Sequence, residues 1–132
     1  MSSATGEWPG TAHKHAEQEG YAVVRVGPGC LLVAVPGDLD DEAVGALRRA
    51  FGVVATHDAS WVILDARDAR FADKTALYAL VREHTRLRGR GGSLTLVSSV
   101  PAIHDSLRLS GLAGCFPISP TLDAALDAVV FG

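Results

Sequence analysis

The sequence predicts an α/β domain on a mixed, mostly parallel five-stranded sheet with four helices. Three observations lead there. Short apolar runs, too brief for helices, alternate with longer segments whose apolar residues recur every three to four positions. The first two runs, Tyr21-Ala22-Val23-Val24-Arg25-Val26 and Cys30-Leu31-Leu32-Val33-Ala34-Val35, flank a Gly27-Pro28-Gly29 turn and read as a hairpin. Beyond the hairpin, helices and strands alternate one for one, the pattern of parallel strands joined by helical crossovers. The predicted order is β-β-α-β-α-β-α-β-α, and its crossovers should be right-handed.

Each element has its own signal. Residues 1–20 are polar, glycine-containing and aperiodic, with Trp8 as their large apolar side chain, and read as a flexible tail ahead of a domain spanning 21–132. The second strand is apolar throughout, which suits burial on both faces. After Pro36-Gly37-Asp38, Asp40 or Asp41 caps a helix to about Thr56, with Ala43, Val44, Leu47, Ala50, Phe51 and Val54 on its inner face. Trp61–Leu64 forms the third strand. A charged loop follows, and the second helix runs from about Lys74 to Arg88 behind Asp73, with Ala76, Leu77, Leu80, Val81 and Leu87 as its core stripe. Gly89, Gly91 and Gly92 end it. Ser93–Val97 is the fourth strand. Pro101 opens a third helix that Gly111 stops. Phe116-Pro117-Ile118 reads as a short edge strand, and Ser119-Pro120 leads into a last helix with Leu122, Leu126 and Val129 facing inward.

Composition narrows the function. The chain has 132 residues, 48% of them hydrophobic, which suffices for the core of one domain. A net charge of −3 gives no basic field for direct nucleic-acid binding. No apolar run nears the ~20 residues that span a bilayer, and the N-terminus lacks the charged start and apolar middle of a signal peptide. The expected location is cytoplasmic, without membrane contact. Cys30 and Cys115 belong to no metal-ligand spacing and read as reduced, apolar packing residues. His13 and His15 lack the further ligands a zinc site needs. His57, His84 and His104 are isolated and read as ordinary surface or interface residues.

Phosphate-binding glycine loops, a nucleophile elbow and a His-Glu-x-x-His pair are all missing from the sequence, so no enzyme, cofactor or metal is expected. Asp38, Asp40, Asp41, Asp65, Asp68 and Asp73 cluster near strand ends, but capping and helix-dipole terms account for acids at helix starts. Arg82, Arg86, Arg88 and Arg90 read as a solvated helix end or a contact for an acidic protein. Thr75 reads as either a solvent-facing first-turn residue or a phosphoacceptor. A phosphate there would add roughly −1.5 to −2 charges beside Asp73 and block a surface that must dock flush.

Three short segments carry a resemblance. Gly37-Asp38-Leu39-Asp40 resembles a Gly-x-Leu-Asp segment, Phe71-Ala72-Asp73-Lys74-Thr75-Ala76-Leu77 an Asp-Ser-Ser/Thr-Gly-Leu segment, and Ser110-Gly111-Leu112 a Ser-Gly-Leu segment, all of the STAS domain family of anti-sigma factor antagonists. Their order and spacing match over roughly Tyr21 to Val130. The resemblance implies partner switching. The unmodified protein binds an anti-sigma factor, a serine/threonine kinase of the histidine-kinase-like ATPase fold, and phosphorylation at Thr75 releases it until a phosphatase resets the cycle. It also implies that Asp73 caps the second helix, that Asp38 and Asp40 line the docking rim, and that Lys74, Ala76 and Tyr78 contribute partner contacts. Lys74 and Ala76 depart from the family's usual Ser and Gly. That departure favours one alternative, a non-phosphorylated STAS scaffold module; the resemblance itself leaves another, the small-ligand or nucleotide-binding domain that some STAS relatives are thought to be.

Overall fold

The computed structural model describes residues 13–18 and 20–131. In chain order its elements are β1 (His13–Gln18), β2 (Tyr21–Gly27), β3 (Cys30–Ala34), α1 (Ala43–Thr56), β4 (Trp61–Asp65), α2 (Lys74–Arg88), β5 (Ser93–Val97), α3 (Pro101–Leu109), β6 (Ile118–Ser119) and α4 (Leu122–Phe131). One sheet holds all six strands in the spatial order β1-β2-β3-β4-β5-β6. The β1–β2 and β2–β3 pairs are antiparallel; β3–β4, β4–β5 and β5–β6 are parallel.

The five expected strands and four helices occur in the predicted order. The sheet also has a sixth strand, β1, inside the segment read as a tail; residues 1–12 of that segment lie outside the described residues. The sequence His13-Lys14-His15-Ala16-Glu17-Gln18 has no apolar alternation to signal a strand. Its backbone ladder to β2, with one irregularity between Lys14 and Ala16, makes the pairing. The last strand also shifts. Phe116 is buried in the core rather than paired, Pro117 supplies a carbonyl to the Leu96 N–H at 3.0 Å, and β6 proper is Ile118–Ser119.

The helices divide unequally between the faces. Because consecutive parallel strands are also neighbours, right-handed crossovers put α1, α2 and α3 on one side. There Leu47, Ala50 and Val54 of α1, Leu77 and Leu80 of α2 and Ile103 and Leu107 of α3 meet Leu31, Val33, Val62, Leu64, Leu94 and Leu96 of the strands. On the other face Ala125, Leu122, Leu126 and Val129 of α4 pack with Cys30, Leu32, Ile63 and Val97. β3, β4 and β5 are thus covered on both faces, which is why they read as continuous apolar runs.

The cysteines separate. Burial pushes the Cys30 thiol up to about 11, against the opposing charge of Arg25, so it behaves as an inert packing residue. Cys115 is exposed, contrary to the expectation of packing. His84 also differs from expectation. Half-buried on α2, its Nδ1 accepts the Leu94 N–H at 3.1 Å.

Candidate functional site

The loops that leave β3 and β4 emerge side by side, because those strands are parallel neighbours. Backbone bonds then join them. The Leu39 N–H donates to the Phe71 carbonyl at 3.0 Å, and the Asp73 N–H donates to the Leu39 carbonyl at 2.7 Å. Together they make a one-residue parallel bridge between Leu39 and Ala72, both buried. Side chains add two further ties. Asp38 Oδ1 accepts the Arg70 N–H at 2.7 Å, and Asp73 Oδ2 accepts the Asp41 N–H at 2.8 Å. Asp40 Oδ1 accepts the Ala43 N–H, the first of α1, at 3.0 Å.

These bonds fix where α2 begins. Asp73 has the extended backbone of an N-cap residue (φ −83°, ψ 153°), yet its carboxylate makes no capping bond to its own helix. It is spent on the other loop instead, which corrects the expectation that it caps α2. Among the described residues the first turn of α2 therefore has no side-chain cap on its amide N–H groups, which lie at the positive end of the helix dipole. Lys74 and Thr75 are exposed there. Ala76 is fully buried, so it supplies no partner contact; its methyl belongs to the core. Tyr78 is 45% exposed on the next turn.

Phe71 is a residue the sequence reading did not single out. It is 46% exposed in the loop that meets α2, while its carbonyl holds Leu39. The sequence signal was an aromatic side chain in a charged loop two residues ahead of an N-cap. The rim therefore carries two half-exposed aromatics, Phe71 and Tyr78, with Thr75 between them in sequence. Surface aromatics of this kind are enriched at protein interfaces.

Other candidates are committed elsewhere. Asp65 is buried and holds Arg67 in a fork, with Nε–Oδ1 and Nη2–Oδ2 both 2.8 Å; that hydrogen bonding keeps the guanidinium protonated above its ordinary range. A cavity of about 400 Å³ lies beside the pair, lined also by Gly20, Pro36 and Asp68. Arg86 pairs with buried Glu83 at 2.6 Å and Arg90 with Asp58 at 3.1 Å, so the arginines near the end of α2 do not act as one cluster. Among the described residues no group of three His, Cys, Asp or Glu side chains is placed to hold a metal, and no helix is long and apolar enough to cross a membrane.

Comparison with known proteins agrees with the fold. The STAS domain model matches residues 21–125. An anti-sigma factor antagonist from Mycobacterium paratuberculosis superposes with a TM-score of 0.71 at 28% identity, over 92% of this chain and 97% of that one. The anti-sigma factor antagonist SpoIIAA in its unphosphorylated form gives 0.70 at 20% identity, over 83% of this chain and 95% of that one. The Bacillus cell fate determinant SpoIIAA in the phosphorylated form gives 0.64 at 20% identity, over 83% and 98%. At 20% identity the likeness to SpoIIAA is one of fold alone. No curated protein matches the chain at a significant level.

Proposed function

The chain belongs to the STAS domain family, and from that premise we propose that it is an anti-sigma factor antagonist acting by partner switching, with Thr75 as its phosphoacceptor. The observation that carries this reading is the exposed Thr75 in an uncapped first helical turn, on a rim whose two loops are tied to each other. The partner is an anti-sigma factor that is also a serine/threonine kinase. It docks on the rim through Lys74, Tyr78 and Phe71, with Asp38, Asp40 and Asp73 holding the loops beneath.

In the switch, the γ-phosphoryl group of ATP passes to Thr75 Oγ1, ADP leaves, and the kinase takes up the hydroxyl proton. The new phosphate carries roughly −1.5 to −2 charges. Free in solution it is stabilised by the uncovered amides and by Lys74. Within a dry interface it would be stripped of water, a cost of at least several kcal/mol per ion that far exceeds the ~1.4 kcal/mol of a tenfold change in affinity. Docking is then lost, and a phosphatase restores it. The methyl of Ala76 does not obstruct this cycle, because it points into the core.

The test is incubation with the cognate kinase and ATP, followed by fragmentation mass spectrometry. One phosphate on Thr75 is expected, with Thr75→Val left unlabelled. Phosphate at another residue, or none, rejects the switch. Exposed Lys74, where the family usually has a hydroxyl residue, favours the non-phosphorylated scaffold as second reading. Light scattering showing a large stable assembly of the purified chain would support it.

A further inference from the structure

Between α1 and α2 runs a groove of about 550 Å³, lined by Arg48, Phe51, Ala79, Arg82, Glu83 and Arg86. Its floor is apolar, with Phe51 and Ala79 nearly covered. Its one acid is spoken for: Glu83 is buried and accepts from Arg86, Nε–Oε1 at 3.0 Å and Nη2–Oε2 at 2.6 Å. Arg48 and Arg82 are exposed and in no ion pair among the described residues. In a chain of net charge −3, one groove thus holds two uncommitted guanidinium groups over an apolar strip.

Two further observations indicate what fits there. Thr75, Ala79, Arg82 and Arg86 follow one another at four-, three- and four-residue steps, so they share a face of α2. The face of α2 that walls the groove at Ala79, Arg82 and Arg86 therefore runs back to the candidate switch residue, about 16 Å from Arg86 at 1.5 Å per residue. On α1, Gly52 lies one turn beyond Arg48, and a Cβ added there would meet nothing within 4 Å. A glycine inside a helix costs roughly 1 kcal/mol relative to alanine, and no close contact among the described residues explains it. It leaves the surface of α1 bare one turn beyond Arg48.

We propose that this groove docks an acidic helix of the partner protein, its carboxylates pairing with Arg48 and Arg82 and a small apolar ridge resting on Phe51 and Ala79. The proposal rests on the partner-docking reading above and names the chemistry of that partner. A furrow between two helices accepts the ridge of a third. Charge complementarity selects a carboxylate-bearing one and speeds encounter. Phe51 is too buried to stack a base, which disfavours single-stranded nucleic acid. A phosphate on Thr75 would lower the potential at the head of the same face, so the switch and the groove would act in one direction.

The test is a titration of the isotope-labelled full chain with a synthetic amphipathic helix, leucines along one side and glutamates flanking them, and with the same peptide bearing glutamine for every glutamate. The expected result is amide shifts centred on Arg48, Gly52, Ala79 and Arg82. Binding should weaken about tenfold or more for the glutamine peptide and for the Arg48→Glu/Arg82→Glu variant, and fall with added salt. Should that variant fail to fold, the peptide pair and the salt series on the wild-type chain still decide the matter. Equal binding of the two peptides would overturn the proposal. So would shifts centred elsewhere, an oligonucleotide binding the groove more tightly than the peptide, or a second copy of the chain occupying it. Phosphate mapping at Thr75 involves neither arginine, so failure of the switch and failure of the groove remain distinguishable.

Discussion

Asp73 shows how one carboxylate can serve a site without touching its chemistry. By position it is an N-cap, and by hydrogen bonding it is a brace, because its Oδ2 holds the Asp41 N–H of the facing loop. Asp73→Ala should therefore destabilise the protein by about 1 kcal/mol, the usual net worth of a side-chain bond to a backbone N–H at an exposed site. Thermal melting would show a fall of several degrees, and Asp73→Asn should recover part of it. No change in melting would mean the two loops hold together without the brace. The exposure of Thr75 was legible in the sequence, since a hydroxyl residue behind an Asp at a helix start has little else to do. So was the burial of Ala76, which the helical spacing put in the core stripe of α2 even though the resemblance implied a partner contact there. The exposure of Phe71 was not legible, because it depends on which neighbours cover the residue, and those neighbours (the loop of Leu39 among them) come from distant sequence.

At the scale of elements, the short sixth strand leaves a debt that α2 settles. The Leu96 and Ser98 N–H groups reach the Pro117 and Ser119 carbonyls at 3.0 Å, but β6 does not extend to Leu94. His84 Nδ1 takes that N–H instead, beside a cavity of about 450 Å³ lined by Arg88, Ser93, Cys115 and Phe116. An acceptor nitrogen must be unprotonated. Burial first, and the charge of Arg88 second, lower the pKa of His84 below the ordinary histidine value. The folded state thus binds fewer protons than the unfolded chain, and stability rises with pH across that window. The His84 contribution should be complete above about pH 6.5 and decline as pH falls below that value toward the lowered one. Comparing melts of wild type and His84→Gln between about pH 5 and 7.5 isolates it, because the carboxylates common to both cancel. Parallel curves would remove the histidine from the account. The sequence did not reveal this role. Residue 84 falls on the wet side of a helical wheel, and only the shortness of β6 makes an acceptor necessary there.

As a whole molecule the protein is a mixed sheet bearing three helices on one face and one on the other, with the candidate rim where β3 and β4 end. The element order could be read from sequence because β3, β4 and β5 are buried on both faces and so spell themselves out as apolar runs. The edge strand β1 could not, since backbone pairing to β2 leaves no periodic mark in its residues. The division of labour that results is simple. The apolar layers and the loop braces provide a fixed frame, while the exposed rim carries the proposed switch. Changing Thr75 should accordingly alter binding without altering the fold. The most direct measurement is calorimetric binding of the anti-sigma kinase to wild type, Thr75→Val and Thr75→Glu, with melting curves of all three. Closely similar melts are expected, with near wild-type affinity for Thr75→Val and affinity at least tenfold weaker for Thr75→Glu, a loss of ~1.4 kcal/mol or more. Thr75→Glu binding as tightly as wild type would contradict the proposed switch.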